Sequence, residues 1–252
     1  MSEKKGNAAA LLVLIVCTLV LVVGANAWKS GLPVTQFVVE GNRIVSRNEI
    51  VQLMEVQKGM SLYKTDLTAI QRSVESHFYV KRANVERDLP NTIRVQVEER
   101  LPLAVINGEG LKYLDAEGVV LPHSDSRMLF DLPVISGIES SVDLSPGARV
   151  SSEEVQEALD ILVALKIANR ELFHRISEVE LHRGGDIVLY AAEGGVPILF
   201  GRGDIANKLV RLETFWYTTV IVRGVQNLQY VDVRYDGQII ARWNDARSGG
   251  RS

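Results

Sequence analysis

The sequence predicts an α+β protein that begins with a single N-terminal transmembrane helix and continues into two further domains. A run of twenty residues without a charged side chain, residues 8–27, predicts the helix. Residues 33–101 follow the order strand, helix, helix, strand, strand, and residues 102–245 are rich in short strands, with two main helices. We expect residues 1–7 to form a cytoplasmic tail and residues 246–252 to form a flexible one.

The apolar run from Ala8 to Ala27 is long enough to cross a bilayer, because a hydrocarbon core of roughly 30 Å needs about 20 helical residues. Lys4 and Lys5 precede it. Basic residues near a span tend to stay in the cytoplasm. We therefore expect a cytoplasmic N-terminus, with the rest of the chain outside the cytoplasm.

A cleaved signal peptide is the alternative interpretation of this run. Ala25-Asn26-Ala27 has the small-x-small form of a cleavage site. Against it, the apolar run is longer than the usual signal-peptide core, and Trp28 and Lys29 are typical of a membrane interface. Both interpretations export the rest of the chain.

Charge and cysteine content argue against a nucleic-acid partner and against disulfide bonds in the exported domains. The formal net charge is −3, with both signs interspersed, so we expect no nucleic-acid partner. The single cysteine, Cys17, lies in the apolar run, which leaves the exported domains without an intrachain disulfide. We expect packing alone to stabilise them.

Three strands are predicted in the first domain. Residues Thr35 to Glu40 are rich in β-branched and aromatic side chains, and Val80 to Arg87 and Thr92 to Glu99 alternate between apolar and polar side chains. Leu89-Pro90-Asn91 predicts the turn between the last two strands.

Two amphipathic helices lie between the first and second of these strands. Ser46 and Glu49 have the spacing of a capping box, and Thr65 or Asp66 can cap the second helix. The apolar positions with helical spacing are Ile50, Leu53, Met54, Leu67, Ile70, Val74 and Phe78. We expect both helices to cover one face of a three-stranded sheet.

The second domain is predicted to be built mainly from short strands separated by turns. The strands are Leu103 to Ile106, Lys112 to Leu114, Val119 to Leu121, Ile176 to Leu181, Asp186 to Ala191 and Pro197 to Phe200. A final hairpin, Gln229 to Arg234 and Gln238 to Trp243, turns at Asp236-Gly237. We expect an antiparallel sheet with the last strand at an edge.

Two main helices accompany these strands. The first opens at Ser151-Ser152-Glu153-Glu154 and ends near Asn169, and the second runs from about Asp204 to Thr219, with Asp204 near its N-cap. Their apolar positions are Val155, Ala158, Leu159, Leu162, Leu165, Ile205, Leu209, Leu212, Phe215 and Trp216. The charged positions expected to stay in water are Lys208, Arg211 and Glu213.

Several short segments are specific through their order and spacing along the chain, although none is specific alone. In the first domain they are Phe37-Val38-Val39-Glu40-Gly41-Asn42, Val45-Ser46, Gly59-Met60-Ser61-Leu62, Val80-Lys81-Arg82-Ala83-Asn84-Val85, Arg87-Asp88-Leu89-Pro90-Asn91-Thr92 and Glu98-Glu99-Arg100-Leu101-Pro102-Leu103-Ala104. Further on they are Leu132-Pro133-Val134-Ile135-Ser136-Gly137, Gly201-Arg202-Gly203-Asp204, Lys208-Leu209-Val210-Arg211-Leu212 and Tyr230-Val231-Asp232-Val233-Arg234-Tyr235-Asp236-Gly237. Taken together, these segments resemble the FtsQ/DivIB family of bacterial cell-division proteins. The resemblance implies that residues 33–101 form a POTRA domain and residues 102–245 an FtsQ-type β-domain.

The sequence contains no group of residues typical of catalysis, cofactor binding or metal binding, so we expect that the protein is not an enzyme. Common hydrolase, nucleotide and zinc motifs are missing, and His77, His123, His174 and His182 lie in separate elements without a ligand at metal spacing. Glu98 and Glu99 are neighbours on a strand and should point to opposite faces. Asp115 and Glu117 lie in a predicted turn, where an Asp side chain commonly bonds its own backbone. An exported hydrolase with dispersed active-site residues is the least favoured alternative.

The resemblance implies a non-enzymatic membrane scaffold at the division septum, in the cell (inner) membrane, with its two domains periplasmic or extracellular. Its partners would be FtsB and FtsL, captured by the C-terminal strand region, with other division proteins recruited by the POTRA domain. The matching positions here are Arg234, Tyr235 and Trp243, and ordinary packing within the hairpin is the alternative interpretation of Tyr235 and Trp243. The alternative is a POTRA-type component of protein export or outer-membrane assembly, which lacks support because no membrane barrel pattern follows.

Overall fold

A computed structural model describes most of the chain. The described residues are 12–24, 31–108, 110–123 and 130–244. The predictions for the two tails, for the cleavage site at Ala25 to Ala27 and for Trp28 and Lys29 lie outside these residues.

Residues 12–24 form a helix, α1. Among the described residues, no helix combines the length and the apolar character needed to cross a membrane. The predicted span, residues 8–27, extends beyond the described helix at both ends and stays a prediction.

The chain divides into two units, residues 1–99 and residues 100–252. Beyond α1, the first unit contains β1 (Gln36–Glu40), α2 (Arg47–Leu53), α3 (Leu67–Glu75), β2 (Val80–Asp88) and β3 (Thr92–Glu99). The sheet order is β1-β3-β2, with β1 parallel and β2 antiparallel to the central β3. The predicted order of strands and helices is confirmed.

Side chains at the helix starts explain why α2 and α3 begin where they do. The Ser46 hydroxyl accepts a hydrogen bond from the Glu49 amide at 3.2 Å, and Asp66 accepts from two amides of the first turn of α3. The Glu49 carboxylate contacts His77 at 3.1 Å, so the second half of the predicted capping box is not made with the backbone. The prediction for Phe78 is wrong: α3 ends at Glu75, and Phe78 is 44% exposed.

The second unit is built on one nine-stranded sheet. Its strands are β4 (Pro102–Gly108), β5 (Gly110–Asp115), β6 (Val120–Pro122), β7 (Val134–Ser136), β8 (Ile176–Leu181), β9 (Ile187–Ala191), β10 (Pro197–Leu199), β11 (Leu228–Asp232) and β12 (Ile240–Trp243). Its helices are α4 (Glu153–Ala168), α5 (Arg170–His174), α6 (Ile205–Phe215), a π-helical segment (Trp216–Val220) and α7 (Ile221–Arg223). The strand order is β12-β11-β10-β9-β8-β7-β4-β5-β6.

The sheet is mixed, so the prediction of an antiparallel sheet is wrong. Three of its pairs are parallel: β4 with β7, β7 with β8, and β10 with β11. The chain crosses through α4 and α5 between β7 and β8, and through α6 to α7 between β10 and β11. Such helical crossovers are what parallel neighbours require.

One helix-covered face of this sheet holds the core of the second unit. Apolar side chains of α4 and α6 pack against alternate residues of the strands, and Trp216 is fully buried as predicted. Lys208 was expected in water but is only 4% exposed. Its Nζ donates to the Arg202 carbonyl at 2.6 Å and lies 5.3 Å from the centre of the Phe200 ring. Burial lowers the pKa of Lys208.

The adjacent carboxylates Glu98 and Glu99 have separate partners. Glu99 accepts hydrogen bonds at 2.9 Å from the amides of Arg43, Ile44 and Val45, whereas Glu98 lies 3.4 Å from the Lys81 ammonium. The Glu99 carboxylate thus holds the loop before α2 against the end of β3.

Because Glu98 and Glu99 have different partners, the same substitution by alanine should affect stability unequally at the two positions. Glu99→Ala should lower the free energy of unfolding of the first unit by about 1–3 kcal/mol, because three amides lose their acceptor. Glu98→Ala is the matched control and should change it by less than about 0.5 kcal/mol, since exposed ion pairs contribute little. Urea unfolding, monitored by hydrogen exchange of the backbone amides of β1 and β3, measures the free energy of unfolding of both variants. Equal effects would contradict the role of Glu99.

Candidate functional site at the open sheet edge

The two ends of the nine-stranded sheet differ in how their backbone groups are satisfied. At β6, the chain folds back over the edge: Val120 donates to Ala148 at 2.9 Å, and Gly147 donates to Val120 at 2.8 Å. At the other end, β12 pairs with β11 and with no other strand among the described residues. We call the side of β12 that faces away from β11 the open edge.

Strand alternation determines which backbone groups line the open edge. The amide of Asn244 donates to the Asn227 carbonyl at 2.7 Å, so this position faces β11. Backbone groups of successive strand residues alternate in direction. The N–H and C=O groups of Ala241 and Trp243 therefore face away from β11, into the open edge.

Side chains of β12 alternate between the two faces of the sheet. Ala241 and Trp243 pack against the core on the helix-covered face, whereas Ile240 and Arg242 are exposed on the other face. The Trp243 indole N–H donates to the Gly224 carbonyl at 3.4 Å.

Two side chains from the crossover helix pack against the Trp243 ring. The Phe215 ring lies 6.2 Å from it between centres, and the Arg223 guanidinium lies 4.2 Å from its centre. The latter is within the range of a cation–π interaction. Trp243 is therefore held from within the unit, at the strand end where the sequence predicted it.

Tyr235 lies in the loop between β11 and β12 and is 48% exposed. The guanidinium of Arg211 on α6 donates to its carbonyl oxygen at 2.5 Å. Arg211 was expected to stay in water, and sequence spacing gave no signal for this contact with a loop 24 residues away. The contact fixes the backbone while the phenol stays accessible.

Arg234 is bound to two carboxylates of its own unit. Its Nε and Nη2 donate to Asp232 at 3.0 and 2.8 Å, and its Nη1 donates to Asp186 at 3.0 Å. Its aliphatic part passes over Gly201, where an added Cβ would lie 2.9 Å from the Arg234 Cγ. Glycine is needed there also because its φ is +64°.

The charge on Asp232 is stabilised although the side chain is buried, being only 4% exposed. Burial opposes its ionisation, but hydrogen bonds from the Arg234 side chain and amide outweigh burial and lower the pKa of Asp232. The side-chain hydrogen bonds to Asp232, joined by the contact with Asp186, raise the pKa of Arg234 against the opposing effect of burial.

The three predicted site residues do not form one cluster. Arg234 and Tyr235 follow the end of β11, whereas Trp243 pairs with Leu228 at the start of β11. They mark the two ends of the hairpin that carries the open edge. Within the described part of the chain, no group of three or more His, Cys, Asp or Glu side chains is placed to hold a metal ion.

Acid should weaken the second unit through Asp232. A carboxylate whose pKa lies below its usual 3.8 stabilises the fold above that pH and loses this contribution as the pH falls through its folded pKa. Asp232→Asn should cost about 1–3 kcal/mol at pH 7. The deficit should shrink below about pH 4.

Urea unfolding, monitored by tryptophan fluorescence at several pH values, measures how the stability deficit of Asp232→Asn changes with pH. Asp186→Asn is the control, because it removes the exposed carboxylate bound to the same arginine and should cost less. A deficit that is constant across pH would contradict the assignment.

Comparison with known proteins places these features in a family. Residues 32–100 match the family model "POTRA domain, FtsQ-type", and residues 104–234 match "Cell division protein FtsQ/DivIB, C-terminal". These matches confirm the resemblance read from the sequence.

Several relatives named cell division protein FtsQ cover most of the chain. The relative from Geotalea daltonii is 32% identical over 79% of this chain and 72% of its own length. Those from Syntrophotalea carbinolica and Rhodothermus marinus are 30% and 31% identical, over 84% and 85% of this chain and 74% and 79% of their own lengths. The chain therefore belongs to the FtsQ/DivIB family of bacterial cell-division proteins.

Proposed function

We propose that this chain is a non-enzymatic scaffold of the cell-division complex that captures FtsB, together with FtsL, by adding a strand to the open edge of β12. The observation that carries the proposal is the difference between the two sheet ends, because only the β6 end is folded over by its own chain among the described residues. An exposed edge strand is a ready template for another chain. Backbone hydrogen bonds supply affinity in such additions, and side chains supply specificity.

The predicted site residues have distinct places in this proposal. Tyr235 offers an exposed phenol beside the edge, Trp243 ends the strand with its backbone groups facing outward, and Arg234 joins the site at the loop. Because Arg234 already binds Asp232 and Asp186, it would order the loop as well as contact the partner.

The remaining parts of the chain complete the proposal. The predicted span would hold the protein in the cell (inner) membrane at the septum, with the N-terminus cytoplasmic and both domains periplasmic or extracellular. The POTRA domain would bind other division proteins. Confinement of partners to one membrane raises their effective concentration, so each interface can be weak.

The first test changes the exposed tyrosine. Tyr235→Glu should abolish capture of FtsB and FtsL extracytoplasmic segments by the full chain in mild detergent, because a charge would be buried without a partner at the interface. Ile167→Glu is the matched control, since Ile167 is 80% exposed at the end of α4 and receives the same charge. Its capture should equal that of wild type.

The outcomes of this pull-down are distinct. Loss confined to Tyr235→Glu, with an unchanged unfolding transition, supports capture at the hairpin. A folded wild type that captures neither segment would contradict the proposal and favour the export-component alternative. Equal loss in both variants would contradict the place of the site.

A second test addresses the backbone. Ala241→Pro removes an N–H that faces the open edge, a position where sheets accept proline. Capture of FtsB should fall at least tenfold while the fold is retained, because one hydrogen bond of the added strand cannot form. Arg242→Pro, at an N–H facing β11, should instead destabilise the hairpin itself. Binding isotherms and thermal unfolding of both variants measure the difference, and unchanged binding by Ala241→Pro would contradict strand addition.

A further inference from the structure

Four arginines surround the hairpin, and three of them are engaged within the second unit. Arg211 binds the loop carbonyl of Tyr235, Arg223 lies over an indole ring and Arg234 binds two aspartates. Arg242 differs from them: its backbone pairs with β11, but its guanidinium makes no hydrogen bond or ion pair with any described residue. Its charge is therefore not matched by any residue of the second unit that the structure describes.

Arg242 also has a defined place on the open edge. It is the third of the four residues of β12, lies opposite Tyr230 of β11 and is exposed. Its side chain lies on the sheet face that also exposes Ile240. A strand added to β12 would place one of its side chains directly across from Arg242 and another across from Ile240.

We propose that Arg242 is a specificity-determining residue, which selects a partner strand carrying Asp or Glu at the position that faces it. This inference rests on the proposed function, because it concerns the same edge. Opposite charges facing each other across neighbouring strands are favourable, and like charges are unfavourable. Since Ile240 is two residues away on the same face, the facing strand should carry an apolar side chain two positions from its acidic one.

The same charge acts against pairing of two copies of this chain. In a symmetric antiparallel pair centred on Arg242, Ala241 and Trp243 exchange the hydrogen bonds of the open edge. The two Arg242 residues then form a non-hydrogen-bonded pair, in which Cα atoms approach to about 4.5 Å and side chains lie closest. Arg242 therefore favours an acidic partner over self-association.

A charge exchange tests the proposal. The full chain in mild detergent, as wild type and as Arg242→Glu, is titrated with the extracytoplasmic FtsB segment and with versions of it in which each Asp or Glu is changed singly to Lys. Arg242→Glu should weaken binding of the unchanged segment about tenfold, because attraction is replaced by repulsion. One Lys-substituted segment should bind the wild-type chain about as weakly as the unchanged segment binds Arg242→Glu. The affinity of that same segment for Arg242→Glu should return to within about threefold of the affinity between the wild-type chain and the unchanged segment.

Arg183→Glu is the matched control, since this arginine lies in the turn between β8 and β9 and its substitution changes the net charge equally. It should alter affinity less than about twofold. Three outcomes would overturn this inference but leave the proposed function standing. They are equal weakening of binding by Arg183→Glu and Arg242→Glu, failure of every Lys-substituted segment to regain affinity with Arg242→Glu, and formation of wild-type dimers through β12. A wild type that binds no segment would overturn the proposed function, and this inference with it.

Discussion

Every strand at the end of a sheet carries backbone donors and acceptors on one side that need partners, and this requirement shapes both units of the protein. In the first unit, side chains occupy such groups at both outer strands: Arg47 donates to the Phe37 carbonyl at 2.6 Å, and Glu75 accepts from the Ala83 amide at 2.9 Å. In the second unit, a segment of the chain covers β6. Against these examples, the outer edge of β12, which pairs with no strand of the described chain, requires an explanation, and the proposed added strand would satisfy its groups directly.

An exposed edge binds well only if it is already ordered before the partner arrives. Binding that must first fix a mobile loop loses affinity to the entropy of ordering. Here Arg211 fixes the loop carbonyl of Tyr235, Arg234 ties the end of β11 to Asp186, and the indole of Trp243 donates to a carbonyl at the end of the crossover helix. The hairpin is thus ordered from three directions while its outer side stays accessible.

The sequence predicts local structure in this chain better than the arrangement of strands. Caps and periodicity correctly indicate α2, α3 and α4, and periodicity indicates α6, whose N-cap residue Asp204 makes no side-chain cap hydrogen bond. Turn residues indicate the final hairpin. The three-residue strand β7 and the five-residue helix α5 are missed, because such short segments show no period. Parallel pairing depends on where the crossovers return, which local patterns do not encode.

The limits at the candidate site have the same physical origin. The hairpin and its tyrosine and tryptophan are visible in the sequence, since they lie close together in the chain. The contacts that order them come from Arg211 and Asp186, which are 24 and 48 residues from their partners. Lys208 is buried because the Arg202 carbonyl covers its ammonium, and helical spacing alone places such a lysine in water.

Side chains of β12 alternate between the two faces of the sheet, so its four residues divide into two pairs with different roles. On the helix-covered face, Ala241 and Trp243 are required for packing of the unit, so their side chains are constrained by the core. On the other face, Ile240 and Arg242 are exposed and pack against no helix that the structure describes, so substitutions there alter the surface without creating a cavity. The backbone groups that would bind a partner belong to the constrained residues, and the side chains that would discriminate among partners belong to the free ones. Affinity and specificity of the edge can therefore change independently.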